Sequence, residues 1–348
     1  MRVYDTAILR RWARRVWLAI QSRAIILVYH RVANISSDPQ LLSVTPEHFA
    51  QHLQHVRQHY HPINLQALGQ ALVQGHIHHK AVVITFDDGY ADNFWNALPL
   101  LEKYEIPATV FVSTGYVGQN REFWWDELER LILSSKVLPN SLELTINHKV
   151  HFWHLENPEK HFDMNSQSAR EWNVTMGFYP TLRHKVYKEL HHLLLPLNDA
   201  ERQDILTQIA RWAGALSVAR QDYLALNSNE LKSLAKGGLL EIGSHTITHS
   251  MLSAQSYEQQ QWEITESKRN LESALGLPIV SFGYPYGNQE AAGREAPQLV
   301  HKAGYKLACA NFPAPVTQKS DAFWLPRYLV RDWHEKSFSW RIKEWFRG

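Results

Sequence analysis

Short apolar runs alternate with amphipathic stretches along most of the chain. Ala24–Tyr29, Ala81–Phe86 and Ala108–Val112 are rich in β-branched residues, and polar side chains follow the first two at once. Runs of this length without a polar alternate predict strands buried on both faces, as in a parallel sheet covered by helices. Between them, Thr45-Pro46 predicts a helix start, with threonine as cap and proline in the first turn. Phe49, Leu53 and Val56 form its inward stripe. Asn64 caps a second helix ending near Gly75, and Asp92 or Asn93 opens a third that runs through Leu101. Strand, helix, strand is the unit of a parallel sheet with crossover connections.

The rhythm breaks at about 136 and resumes near 227. Residues 142–146 and 149–153 read as a hairpin turning at Asn147-His148, followed by helices near 180–195 and 199–214. Because strand-helix units return afterwards, the stretch of about 116–226 is expected to be an insertion within one domain. Asn227-Ser228-Asn229-Glu230 matches a capping box for a helix over 228–236, ended by Gly237 and Gly238. Strands are expected at 239–243, 278–282 and 306–309. A long helix begins at Ser256, with Ile264, Leu271 and Leu275 on one face.

Both ends of the chain have a different character. In residues 1–23, Ile8, Leu9, Trp12, Val16 and Ile20 share one side of a helical wheel, with Arg10, Arg11 and Arg14 opposite. Residues 336–348 repeat this with Phe338, Ile342, Trp345 and Phe346 beside Arg341, Lys343 and Arg347. Each is expected to be a basic amphipathic helix, either packed on the domain or lying on a membrane surface. The arginines interrupt any signal-peptide core, so the expected location is cytoplasmic, with the inner membrane face as a possible site of attachment.

Composition narrows the classes. At 348 residues with 45% hydrophobic and 20% charged residues, this is a folded globular chain with a substantial core. The single cysteine, Cys309, excludes an intramolecular disulfide framework. A net charge of +2 gives no reason to expect a nucleic-acid partner.

Polar groups gather after the predicted strands: His30, then Asp87-Asp88-Gly89, then His245-Thr246-Ile247-Thr248-His249, then Tyr284-Pro285-Tyr286. In α/β folds the carboxyl ends of the strands carry the active site, so these segments should converge. Two histidines four apart plus a carboxylate can hold a metal with open positions, a set suited to hydrolysis. Taken singly, each signal has a plainer reading. Asp-Asp-Gly also suits a surface turn, and a His-x-x-x-His in a chain with twenty histidines can be structural.

Together the segments resemble the polysaccharide deacetylases, carbohydrate esterase family four with the NodB-homology domain. Thr85-Phe86-Asp87-Asp88-Gly89 resembles the family's first motif, His245 to His249 its second, and Phe282-Gly283-Tyr284-Pro285-Tyr286-Gly287 a variant of its third. The resemblance covers about 24–115 and 228–331. It implies a distorted (β/α) barrel of about seven parallel strands spanning 24–335, with a mixed hairpin and helical insertion.

It further implies that Asp88, His245 and His249 bind one divalent ion, expected to be zinc, with Asp87 as general base and the Tyr286 backbone N–H holding an oxyanion. The implied activity is removal of N-acetyl groups from amino sugars of a glycan or a lipid-linked saccharide. O-acetyl esterase, N-deformylase and non-catalytic carbohydrate-binding readings stand as alternatives. Two departures matter. Gly283 stands where the family carries an arginine, and no Leu-x-His fifth motif supplies an acid. Arg327 is the candidate to reach the base, and His30, as in a subgroup of the family, the candidate acid; alternatively His30 is only hydrogen-bonded beside Tyr29. Trp124 and Trp125 either line a sugar subsite or anchor the insertion.

Overall fold

The computed structural model describes residues 23–155, 167–215 and 218–347. Seven strands run parallel: β1 Ala24–Tyr29, β2 Ala81–Phe86, β3 Ala108–Val112, β4 Leu240–Ser244, β5 Ser281–Gly283, β6 Leu307–Cys309 and β7 Tyr328–Leu329. Their spatial order is β6-β5-β4-β3-β2-β1-β7. Apart from β7, neighbours in the sheet are neighbours in sequence, as in a β/α barrel.

The seam is closed by one short segment. Leu325 bridges in parallel to Cys309 at the end of β6, while two residues of β7 pair with β1. Residues 325–329 therefore span the sheet's two edges, and Arg327 lies between them. β1, β2 and β3 are buried along their whole length, which explains why their sequences are nearly continuous apolar runs.

The helical signals agree with the sequence at their caps. The Thr45 side chain accepts from the His48 N–H at the start of Pro46–His59, and Asn64 caps Leu65–Gln74. Asn227 and Glu230 form the reciprocal box that starts Ser228–Lys236. One helix differs from expectation. The stretch after β2 opens with a π turn over Asn93–Ala97 and continues as an α-helix to Tyr104, past Leu101. Pro99 cannot donate within the first turn of the α-helix, and the wider turn before it accommodates that missing bond.

The hairpin Ser141–Ile146 and Lys149–His154 turns at Asn147 and His148, both with positive φ. With helices Leu182–Leu194 and Asp199–Trp212 it forms a second hydrophobic cluster around Trp124, Leu128, Tyr187 and Leu206. The stretch between β3 and β4 thus folds on its own core, beside the sheet.

The C-terminal helix Glu335–Arg347 takes the first of the two placements expected for it: it packs on the domain, with Phe338 and Ile342 fully buried against the barrel. Phe338 stacks on His52 with ring centroids 4.0 Å apart, and Trp345 on Tyr328 at 4.5 Å. Arg23 donates to the last carbonyls, Phe346 O at 3.3 Å and Arg347 O at 3.2 Å. The matching amphipathic pattern over 1–22 lies outside the described residues. Among those described, no helix is long and apolar enough to cross a membrane.

Candidate active site

Register brings the polar residues together. Tyr29 pairs with Phe86, so His30 and Asp87 emerge side by side, and the Asp87 N–H donates to Tyr29 O at 3.0 Å. Val112 and Phe282 both pair with Ser244, so His245 leaves β4 at the same end. The cleft there is lined by His30, Asp87, Asp88, His245, His249 and Tyr286, together with Trp125, His191, Gln40, Leu42 and Asn311.

Asp88, His245 and His249 offer ligand atoms that all lie within 4.8 Å of one another, and all three residues are buried. The Asp88 Oδ1 is 3.2 Å from His249 Nε2 and 3.6 Å from His245 Nε2, yet it has no hydrogen-bond donor. A buried carboxylate oxygen without a partner is costly, and a divalent cation would relieve that cost. His245 donates from Nδ1 to Gly283 O at 2.7 Å, the kind of second bond that leaves Nε2 with its lone pair toward the ion. Burial lowers both imidazoles, His245 to about 4 and His249 to about 3, so they stand neutral and ready to coordinate. The donor set fits a metal such as zinc.

The loop carrying the two histidines is held from behind. Glu263, on helix Tyr257–Leu275, accepts from the N–H groups of Ile247 at 2.7 Å and Thr248 at 3.0 Å, and from Ser250 Oγ at 3.1 Å. Three residues around the ligands take positive φ: Asp88 at 73°, Thr246 at 65° and His249 at 54°. Such backbone persists only where the surroundings fix it, and here the fixing contacts belong to the site.

Asp87 and Arg327 form a bidentate pair, Nη1 to Oδ1 at 2.6 Å and Nη2 to Oδ2 at 2.7 Å. Arg327 is fully buried and is held in turn by Ala310 O at 2.8 Å and Thr85 Oγ1 at 3.2 Å. Burial pushes the Asp87 carboxyl up, but Arg327 and His245 outweigh it and hold it well below the usual carboxylate range. Burial raises Asp88, against the opposing pull of His30 and His245. Burial lowers His30, and both carboxylates pull it back up.

The arginine absent from the third motif has no room there. A Cβ on Gly283 would lie 2.9 Å from Phe111 Cγ and 3.1 Å from His245 Nδ1. Arg327 instead enters from the closing seam, its guanidinium carbon 5.6 Å from the centroid of the Phe111 ring. Gly283→Ala should therefore destabilise the fold by about 1–3 kcal/mol through overpacking. Urea denaturation checks this, and a midpoint equal to wild type would show that the ring yields freely.

The two tryptophans part company. Trp125 lines the cleft, with its ring edge-on to His249 at 4.7 Å, and its Nε1 donates to Tyr90 Oη at 2.9 Å. Trp124 does not reach the cleft. It is fully buried, 4.7 Å from the His191 ring, with the Arg202 guanidinium carbon 5.5 Å from its centroid, and so anchors the insertion. Adjacent helical positions face different ways, so only one of the pair can point into the cleft.

Tyr286 sits in a left-handed turn at φ 60°, its ring 4.7 Å from that of His249. Gln40, Leu42, His191, Asn311 and Glu263 were not singled out from the sequence. For Glu263 a signal exists: Gln260, Glu263, Ile264, Ser267 and Leu271 share the buried helix face, so an acid stands among core positions.

Comparison with known proteins bears on this geometry. Over 28% of this chain, the poly-beta-1,6-N-acetyl-D-glucosamine N-deacetylase of Staphylococcus aureus is 31% identical. The match spans only 39% of that protein's length. Among solved structures, the Streptococcus pyogenes deacetylase PplD superposes with a TM-score of 0.57 at 17% identity, covering 92% of this chain and 98% of its own. IcaB from Ammonifex degensii gives 0.55 at 17% identity, covering 94% and 98%. At these identities the two structures show a shared fold. The polysaccharide deacetylase family model matches residues 74–137 and 174–308, more than half of the chain, and with this match the chain belongs to the polysaccharide deacetylase family.

Proposed function

We propose that the protein is a metal-dependent N-deacetylase that removes acetyl groups from N-acetylated amino-sugar residues of a glycan, with zinc as the resident ion. The observation that carries this reading is the unpartnered Asp88 Oδ1 facing two neutral imidazoles, beside a second carboxylate that Arg327 keeps ionised. A divalent ion on Asp88, His245 and His249 supplies Lewis-acid chemistry, polarising an acyl oxygen and acidifying water.

The chain's own groups supply the rest. Asp87 is fixed in orientation by two hydrogen bonds and accepts the proton of the attacking water. The Tyr286 N–H donates to the acyl oxygen as charge builds on it. The water oxygen forms the new C–O bond as it adds to the acyl carbon; His30 then gives a proton to the amine as the C–N bond breaks and the C=O double bond re-forms. Trp125, pinned by Tyr90, covers the His249 side of the cleft and keeps bulk water out.

The S. aureus relative's name favours a polymer of N-acetylglucosamine over a lipid-linked precursor. Among the described residues no comparable observation supports the lipid. The test is release of acetate from β-1,6-linked N-acetylglucosamine oligomers, run with metal analysis of the same sample. About one zinc per chain with acetate release, both lost on chelation, is expected. Formate release from N-formyl sugars, or acetate only from O-acetyl esters, would replace the N-acetyl assignment. A stoichiometric ion without any acyl release would sink the catalytic reading.

A further inference from the structure

A second cleft is larger than the one holding the carboxylates. It encloses about 620 Å³, against about 110 Å³ around Asp87 and Asp88, and the two share no lining residue. One side is formed by Trp95, in the π turn that follows β2, seven residues beyond Asp88. This tryptophan is 63% exposed.

Its ring is nevertheless held still. The indole N–H donates to Glu230 Oε1 at 2.8 Å, and Phe94 meets it edge-on, with centroids 4.9 Å apart and planes at 82°. The polar edge is thus occupied, and what remains for a ligand is the apolar face. Around the same cleft stand Asn34, Gln119, Asn120, Gln221 and the carboxylate of Asp222. All five residues are exposed. They offer planar donors and acceptors in both senses.

This lining selects a class of ligand. A phosphate or a nucleic acid needs basic groups, and no Lys or Arg lines the cleft, whereas Asp92, Asp222 and Glu230 do. A hydrophobic ligand would want a mostly apolar wall, and the amides make this one polar. An aromatic face beside amides and a carboxylate suits an uncharged ring with an apolar face and many hydroxyls, which is a saccharide.

One segment of chain lines both clefts. Ala33, Asn34 and Ile35 line the Trp95 cleft, Gln40 and Leu42 line the cleft around Asp87, and a narrow crevice between them in sequence is lined by Ile35, Gln40 and Leu42. We propose that the Trp95 cleft is a second saccharide-binding site, taking amino-sugar units of the same glycan chain at a distance from the unit being hydrolysed. The identity of the sugar rests on the deacetylase reading above; the existence of a saccharide site does not.

Titration calorimetry with N-acetylglucosamine, from the monomer to long β-1,6 oligomers, tests this. Wild type should gain about tenfold or more in affinity once an oligomer spans both clefts, because the second contact becomes intramolecular. Trp95→Ala should lose that gain, and Trp95→Phe, which keeps an aromatic face without the N–H, should retain most of it. Asn34→Ala combined with Gln221→Ala should reduce it without touching the ring, which covers the case in which Trp95→Ala fails to fold. Length dependence that survives Trp95→Ala, or no binding of any oligomer to wild type, would overturn the proposal. Acetate release is scored separately. Trp95-dependent binding without acetate would keep this site and discard the deacetylase reading; acetate release with a length dependence indifferent to Trp95 would do the reverse.

Discussion

Asp87→Asn should abolish deacetylation while leaving the metal in place. Removing a positioned general base costs about 10²- to 10⁴-fold in turnover, and asparagine removes the charge with almost no change of shape. Asp87 is not among the three residues that could hold the ion, so zinc content should stay near one per chain. His245→Ala provides the contrast, because there the ion itself should be lost. Stability will also fall in Asp87→Asn, since Arg327 is fully buried and loses its only anionic partner within hydrogen-bonding reach among the described residues. Metal content, measured on the same preparation, separates an inactive folded enzyme from an unfolded one. Activity within about threefold of wild type would mean that another group takes the proton, and His30 would be the next to test.

The strands were legible because they are buried on both faces, which makes β1, β2 and β3 read as apolar runs. The meeting of Asp88, His245 and His249 was legible for a related reason. Strand ends in such a fold share one rim, so residues 88 and 245 can be brought together without knowing a single distance. The partner of the base was only half legible. Arg327 carries no motif, and its place depends on residues 325–329 bridging from β6 to β1, a closure that no local pattern encodes.

The contributions of the insertion were hidden more deeply. That His191 lines the cleft and Arg202 backs Trp124 depends on how a second core docks on the strand ends. Periodicity gives the helices but not the docking. The C-terminal helix shows the same limit from the other side, since an apolar stripe with a basic border looks alike whether it meets lipid or a barrel. What distinguishes the two here is tertiary: His52 and Tyr328 present rings of their own to Phe338 and Trp345.

Arg327→Met should cost about 3–5 kcal/mol at neutral pH, the range expected when one partner of a buried ion pair is removed and the other is left uncompensated. The pH dependence gives the argument its sign. In wild type the Asp87 carboxyl is held below its ordinary value, so the pair's contribution is fully present above the unfolded carboxyl's pKa of about 4 and is lost as pH falls through the lower, folded value. Without Arg327, burial acts with less opposition and the carboxyl rises. The stability difference between the two proteins should therefore be largest at neutral pH and shrink in acid, where both carboxyls are protonated. Activity should follow the same carboxyl: the acid limb of the rate profile should move to higher pH in Arg327→Met, because a base that holds its proton cannot accept another. Arg327→Lys should restore only part of either property, since an ammonium keeps the charge but not the paired hydrogen bonds at 2.6 and 2.7 Å. Urea midpoints across pH and the acid limb of the rate profile are two independent readings. A variant as stable as wild type, with an unmoved acid limb, would show that the seam arginine merely fills space and that the base is kept ionised by something else.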